Sequence, residues 1–374
     1  MFKFKVVHQD SKTRARLGKI KTDHGSIQTP AFVAVATAAS IKSLSPEEIK
    51  TNGTQVFFVN TYHLFLRPGE EVIKKLGGIH HFMNWLGPIM SDSGGFQVFS
   101  LAKDEKSQLV KVTDKGIHFR SPFDGSKHFF TPAKSIKIQH QLGADIIFCL
   151  DDCPSYPIDY QQAKASLTRT HRWAIESLET HQKSQSSQAL YGIIQGSVYQ
   201  KLRKISAQFI ASLPFAGLAI GGVSVGESKK EMAKVCDWVV PLLPTNKPRH
   251  LLGVGEVDDI FNIIKRGIDT FDCVMPTRLG RMGHLLVKKQ SKFRIDITKT
   301  TFKKDARPIE SDCRCYTCRH FSRAYLNHLF RTKELLAYRL ATIHNLHFIN
   351  HLVTQIREAI KSKTLEKLEK EWLS

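Results

Sequence analysis

Long apolar runs are missing from this 374-residue chain: no stretch of about 18 consecutive apolar residues occurs, so no membrane span is expected. The opening stretch MFKFKVVHQDSKTRAR lacks the apolar centre of a secretion signal and reads as a strand. Cysteines are few and odd in number. Of the seven, Cys149, Cys153, Cys236 and Cys273 are scattered, while Cys313, Cys315 and Cys318 cluster. That is a poor disulfide framework, and it points to a reducing, cytoplasmic compartment. Acidic residues are outnumbered, with 34 Asp+Glu against 55 Lys+Arg and a formal charge of +21. Such an excess says little about fold but favours a polyanionic partner, although a uniformly lysine-rich surface would give the same sum. No internal repeat and no low-complexity tract interrupts the chain.

What is present is a recurring unit: a short apolar run, a Gly-rich or polar loop, then a helix-like stretch. The runs are AFVAVA (31–36), QVFFVN (55–60), PIMSD (88–92), DIIFCLD (145–151), ALYGIIQG (189–196), GLAIGG (217–222), HLLGVG (250–255) and TFDCVM (270–275). Continuous rather than alternating apolar runs suit parallel strands covered on both faces. Between them, Val257, Ile260, Phe261 and Ile264 fall at helical spacing before Gly267, and residues 160–182 are rich in helix formers. Eight strand–helix units over this length predict a (β/α)8 barrel. A doubly wound open sheet satisfies the same periodicity. The first thirty residues read as an antiparallel strand cap, giving a catalytic barrel over 1–285. After it the composition shifts: residues 288–308 hold eight Lys/Arg and two Asp, and the cysteine cluster and further helices follow. Residues 286–374 are therefore expected to form a metal-bearing helical subdomain packed on the barrel.

In such barrels the working residues lie at the C-terminal strand ends. Those ends carry Asp92 in Ser-Asp-Ser-Gly-Gly, Asp151, Gln195, Gly221-Gly222 and Asp272, followed by Arg278 and Arg281. Taken alone, Asp92 fits an Asx-turn, Gln195 a backbone-satisfying amide, and the glycine pair a tight turn. Asp272 is different. It lies inside an apolar strand between Phe271 and Cys273, where an aspartate is costly to bury unless paired or catalytic. Cys313-x-Cys315-x-x-Cys318 packs three thiolates into six residues, with His320, His328, His344 and His347 downstream. Four nitrogen and sulfur ligands make a closed, structural zinc site; reduced, metal-free cysteines are the alternative.

The segments SDSGGFQVFS, GIIQGS, GGVSVGE, HLLGVG, FDCVMPTRLGR and CRCYTC followed by TIHNLHF together resemble the tRNA-guanine transglycosylase (queuine tRNA-ribosyltransferase) family of bacterial type, over nearly the whole chain. The resemblance implies exchange of the wobble guanine of tRNAs with GUN anticodons. Asp272 would be the nucleophile on the ribose C1′ and Asp92 the proton-handling and base-recognising carboxyl. Asp151, Gln195 and the Gly222 N–H would read the base, between Phe96 on one side and Leu252 with the Leu251 backbone on the other. Arg278 and Arg281 would grip the anticodon. Zinc, one structural ion per subunit, would take Cys313, Cys315, Cys318 and His344, with His347 as rival, and a homodimer is expected.

Some positions depart from that pattern. Leu150-Asp151-Asp152-Cys153-Pro154 stands where Phe-Asp-Glu-Cys-Thr is usual, Gly196-Ser197 replaces Gly-Gly, and Phe96 lacks the frequent tyrosine hydroxyl. Val225 in GGVSVGE follows the bacterial form and implies 7-aminomethyl-7-deazaguanine (preQ1) as incoming base rather than bulkier queuine. A non-catalytic RNA-binding subunit on the same fold would be expected to lose a carboxylate, and both Asp92 and Asp272 remain. Members acting elsewhere on tRNA carry extra C-terminal RNA-binding domains. A retaining carbohydrate glycosidase suits neither the basic charge nor the absence of an aromatic-rich cleft.

Overall fold

The computed structural model describes residues 1–101 and 110–374. Three antiparallel strands come first: β1 (Lys3–Gln9), β2 (Arg16–Thr22) and β3 (Gly25–Thr29). Along β2 buried and exposed positions alternate, as they must when one face covers a core and the other meets water. Then come β4 (Ala31–Val35), β5 (Phe57–Val59) and β6 (Ile89–Ser91). A separate antiparallel sheet follows, made of β7 (Val110–Thr113), β8 (Gly116–Arg120) and β9 (Lys127–Phe130). The chain returns with β10 (Ile146–Phe148), β11 (Ala189–Ile194), β12 (Gly217–Ile220), β13 (Arg249–Leu251) and β14 (Thr270–Cys273). A hairpin of β15 (His284–Leu286) and β16 (Arg294–Asp296) leads to the C-terminal helices.

All eight expected runs form strands, and they close. β14 pairs in parallel with β4, and β6 with β10, so the order β10-β11-β12-β13-β14-β4-β5-β6 has no edge. This excludes the open sheet. The strands are shorter than their apolar runs because the run ends turn into the rim loops. Inside the barrel, Phe58 of β5, Phe148 of β10 and His250 of β13 meet although their strands are not neighbours, with ring centroids 5.2–5.6 Å apart. A packed aromatic layer of this kind makes the interior solid rather than a pore.

The covering helices have the expected causes. Helix Tyr160–Ser184 starts at Asp159, whose side chain accepts from the Gln162 N–H. Helix Val257–Lys265 stops before Gly267, whose positive φ of 94° suits glycine. The three-stranded sheet β7–β9 was not foreseen; its four- and five-residue strands carry too weak an alternation to read in sequence.

At the N-terminal end of the barrel, buried Arg16 grips buried Asp269 through two hydrogen bonds of 2.9 and 2.6 Å. Paired this way, neither charge is stranded, and the strand cap is tied to the barrel away from the strand ends that matter for chemistry. At the other side, the long helix Leu335–Lys361 packs against the helix Met275–Arg281 and β4. Asn345 in it donates to the carbonyls of Pro276 and His284 at 3.0 and 2.9 Å, and accepts from the Leu286 N–H at 2.9 Å. One continuous apolar core runs through both the barrel and these helices. Among the described residues no helix is long and apolar enough to cross a membrane.

Candidate active site and metal centre

The C-terminal strand ends bring the expected carboxyls to one rim. Asp92 follows β6 directly, and its backbone N–H reaches the Val59 carbonyl of β5 at 3.2 Å. Its Oδ1 accepts from the Thr61 and Gly94 N–H groups at 2.8 and 3.1 Å, and the Asn60 amide donates to Oδ2. The Gly94 contact is the Asx-turn considered above, yet it is only one of three donors. Burial pushes the carboxyl up to about 7 in spite of those donors, and the negative charge of Asp272 adds to the rise. The two carboxyls are thus near enough for their charges to interact.

Asp272, third residue of β14, is less buried than its apolar neighbours suggested: its side chain keeps 17% of its surface exposed. The strand turns outward there, where the barrel mouth begins. Two donors converge on one oxygen. His250 Nε2 lies 3.1 Å and the Gly253 N–H 3.2 Å from Oδ1. Among the described residues, the hydrogen bonds to this carboxylate go to Oδ1, and none goes to Oδ2.

The neighbouring strands supply a flat polar recess. Gln195 donates to Asp151 Oδ2 at 2.7 Å, and both are almost fully buried. Burial raises Asp151 to about 6, with the nearby Asp152 charge contributing and the Gln195 bond opposing. Asp152 itself turns away to pair with Arg169. A Cβ on Gly221 would come within 2.6 Å of the Gln195 amide nitrogen, and Gly222 has φ +58°. Here glycine allows both a left-handed turn and close approach of backbone to ligand. Leu252 is half-buried, just after β13, and Phe96 sits on the first turn of helix Gly95–Leu101 with 44% of its surface exposed. Arg278 is exposed and Arg281 half-buried, three residues apart on the helix after β14, and Arg281 donates to the Thr277 carbonyl at 2.9 Å.

Two residues of this rim were missed. Arg203, in helix Gln200–Ser212, is fully buried and donates to four carbonyls: Ser197 at 2.6 Å, Ile194 at 3.0 Å, Gly221 at 2.8 Å and Gly222 at 2.5 Å. Holding those carbonyls inward fixes the loops after β11 and β12, including the Gly222 peptide. The segment Gln-Lys-Leu-Arg-Lys reads as a solvated basic face, so nothing marked this arginine out. His250 was hidden in the apolar run HLLGVG.

The cysteine cluster meets one histidine. Cys313, Cys315 and Cys318 place their sulfurs 3.7, 3.6 and 3.3 Å from His344 Nδ1. A tetrahedral ion with metal–sulfur bonds of about 2.3 Å and a metal–nitrogen bond of about 2.0–2.1 Å requires separations of about 3.6 Å. The donor set fits. His344 Nε2 donates to the Leu286 carbonyl at 2.6 Å, which frees Nδ1 as the ligand. His347 instead stacks with His351. The four side chains form a group that could hold a metal ion, bringing the cysteine turn to the middle of the long C-terminal helix.

Comparison with known proteins agrees with this geometry. The sequence model of the family described as "Queuine tRNA-ribosyltransferase" matches residues 10–374. A protein of that name from Desulforudis audaxviator (strain MP104C) is 48% identical over 371 residues, covering 99% of this chain and 97% of the relative. The Halothermothrix orenii protein of the same name is 48% identical over 370 residues, covering 99% and 96%. The one from Listeria innocua is 46% identical over 370 residues, covering 99% and 95%.

Replacing Arg203 by Met removes all four carbonyl donors at once from a buried site. The variant is expected to lose roughly 3–5 kcal/mol of stability, read as a lower urea midpoint. A midpoint equal to the parent's would mean the guanidinium does not hold these loops.

Proposed function

The chain belongs to the queuine tRNA-ribosyltransferase family, a family of pentosyltransferases that exchange a guanine in tRNA, and on that premise we propose that it replaces the wobble guanine of GUN anticodons with preQ1 through a covalent aspartyl–ribosyl intermediate. The observation that carries this reading is a pair of interacting carboxyls at one barrel rim: Asp92, raised to about 7 with the Asp272 charge contributing, and Asp272, whose donors among the described residues gather on Oδ1.

The chemistry follows from their different environments. Asp272 Oδ2 attacks the ribose C1′ as the bond from C1′ to the base nitrogen breaks, and the departing base takes a proton from Asp92. Asp92, now ionised, accepts the proton of the incoming base, whose nitrogen attacks C1′ and returns the bonding electrons to Asp272. This is the double displacement of retaining glycosidases, and it needs one group able to act as acid and then as base. A carboxyl balanced near neutrality does both. Asp151 would accept from the base N1–H and exocyclic amine, while Gln195 and the Gly222 N–H address O6. Phe96 and Leu252 would enclose the ring. Arg278 and Arg281, with the basic stretch 288–308, would hold the anticodon backbone and neighbouring bases.

Val225 supports the smaller incoming base. It is half-buried in the loop after β12, where its N–H donates to Glu227 at 2.9 Å. For the metal centre, three thiolates and one imidazole with tetrahedral spacing favour zinc, one structural ion per subunit with no open coordination position. A homodimer and a cytoplasmic setting complete the proposal.

Unmodified tRNA and radiolabelled guanine, incubated with the enzyme, are expected to give labelled tRNA; no incorporation would reject the reading. Asp272→Asn should lower exchange by at least about 10³-fold and abolish the covalent RNA adduct on a denaturing gel. In competition, preQ1 should displace label more effectively than queuine.

Asp92 must be protonated for the first half-reaction and ionised for the second. Since its carboxyl lies near 7, the exchange rate should peak close to neutral pH and fall on both sides, on the acid side because Asp92 stays protonated and on the alkaline side because it stays ionised. An Asp92→Asn variant that kept the same pH profile would remove Asp92 from the role.

Exchange of the bound ion for cobalt should give the intense visible bands of tetrahedral sulfur coordination, lost in Cys318→Ser. Octahedral spectra or metal content well below one ion per chain would contradict the assignment.

A further inference from the structure

His250 has no place in the sequence of bond changes above, yet it touches the nucleophile. It is fully buried between Phe58 and Phe148, whose ring centroids lie 5.6 and 5.5 Å away. Its Nδ1 lies 2.9 Å from the Thr270 hydroxyl and its Nε2 3.1 Å from Asp272 Oδ1. A carboxylate can only accept, so Nε2 carries the proton, and in the neutral ring Nδ1 must then accept from Thr270. The buried hydroxyl fixes the tautomer that faces Asp272.

Both donors on Asp272, His250 and the Gly253 N–H, bind the oxygen that does not attack. When Oδ2 bonds to C1′, Oδ1 becomes the carbonyl oxygen of a neutral ester. Hydrogen bonds to an ionised acceptor are stronger than those to a neutral one. The two donors therefore stabilise the free carboxylate more than the ester. They restrain attack slightly and favour departure of the carboxylate when the incoming base arrives.

We infer that His250 is a positioning residue that keeps the covalent intermediate from accumulating: it aims Oδ2 at the pocket and favours return of the bonding electrons to Asp272. This rests on the nucleophilic role of Asp272 proposed above. The proton stays on His250 throughout, and no other reactant is required.

The test uses the full-length enzyme with unmodified tRNA, with and without added guanine, and measures the ratio of covalent adduct to free enzyme on denaturing gels. His250→Phe keeps an aromatic ring and removes the donor. Its adduct ratio should rise about 5- to 10-fold while guanine turnover falls. His250→Gln, which still donates an N–H, should stay near the parent on both readouts. A merely structural defect would lower adduct and turnover together, so an adduct ratio in folded His250→Phe that is unchanged or reduced overturns the inference. So does a glutamine variant that behaves like phenylalanine. If His250→Phe fails to fold, Thr270→Val decides: it leaves the imidazole in place but frees its tautomer, and should raise the ratio about 2-fold, whereas no rise counts against the idea. An adduct that persists in Asp272→Asn rejects the nucleophile itself. Loss of adduct in Asp272→Asn with an unaltered His250→Phe rejects only the role of His250.

Discussion

Two carboxyl groups whose charges interact cannot both be ionised without cost, and the rim is organised around that constraint. Asp92 and Asp272 come from strands on different sides of the barrel mouth, and each feels its surroundings differently. The Asp92 carboxyl is raised to about 7 by burial and by its partner's charge, despite three donors. Asp272 keeps a solvent-facing edge and two donors on one oxygen. One group is thus suited to exchanging protons and the other to presenting an oxygen. The difference lies in burial and hydrogen bonding, since the side chains are chemically identical.

The closed barrel makes this arrangement possible. Eight parallel strands aim their C-terminal ends at one rim, so residues far apart in sequence converge there. The packed layer of Phe58, Phe148 and His250 closes the floor beneath them. At the opposite end the Arg16–Asp269 pair secures the strand cap, so the demands of stability and of chemistry fall on different faces. At a distance from the rim, the Cys313, Cys315, Cys318 and His344 group, which could hold a metal ion, brings the cysteine turn to the helix Leu335–Lys361, and that helix packs on Met275–Arg281, which carries Arg278 and Arg281.

The loops that carry Gln195, Gly221 and Gly222 depend on a buried arginine behind them. Arg203 brings a positive charge into the protein interior, where it donates to four carbonyls and, among the described residues, forms no salt bridge. Burial lowers its affinity for the proton to about 10, which still leaves it charged at neutral pH. An arginine tolerates this because its guanidinium is weakly hydrated and offers five donors in a rigid plane. The result is a rigid pair of loops in which Gln195, Gly221 and Gly222 approach one another more closely than side chains larger than hydrogen would permit.

By itself the sequence determined the eight strands, the strand cap and the cysteine ligands, because continuous apolar runs and dense Cys spacing are local signals. The motif order also carried the family and the rim residues Asp92, Asp151, Gln195, Gly222 and Asp272. It did not reveal the sheet β7–β9, whose short strands carry no clear period, and although it predicted the barrel, periodicity alone did not separate it from an open sheet. Only tertiary structure closed β6 onto β10; it also placed His344, already favoured by the family resemblance, among the three cysteines. It also showed Asp272 to be part-exposed where the strand context implied burial. Arg203 and His250 had no local signal at all: one sits in a basic helical stretch, the other in an apolar run. Their roles come from which carbonyls and which carboxylate the folded chain sets against them, and that is a property of long-range packing which no short window of residues contains.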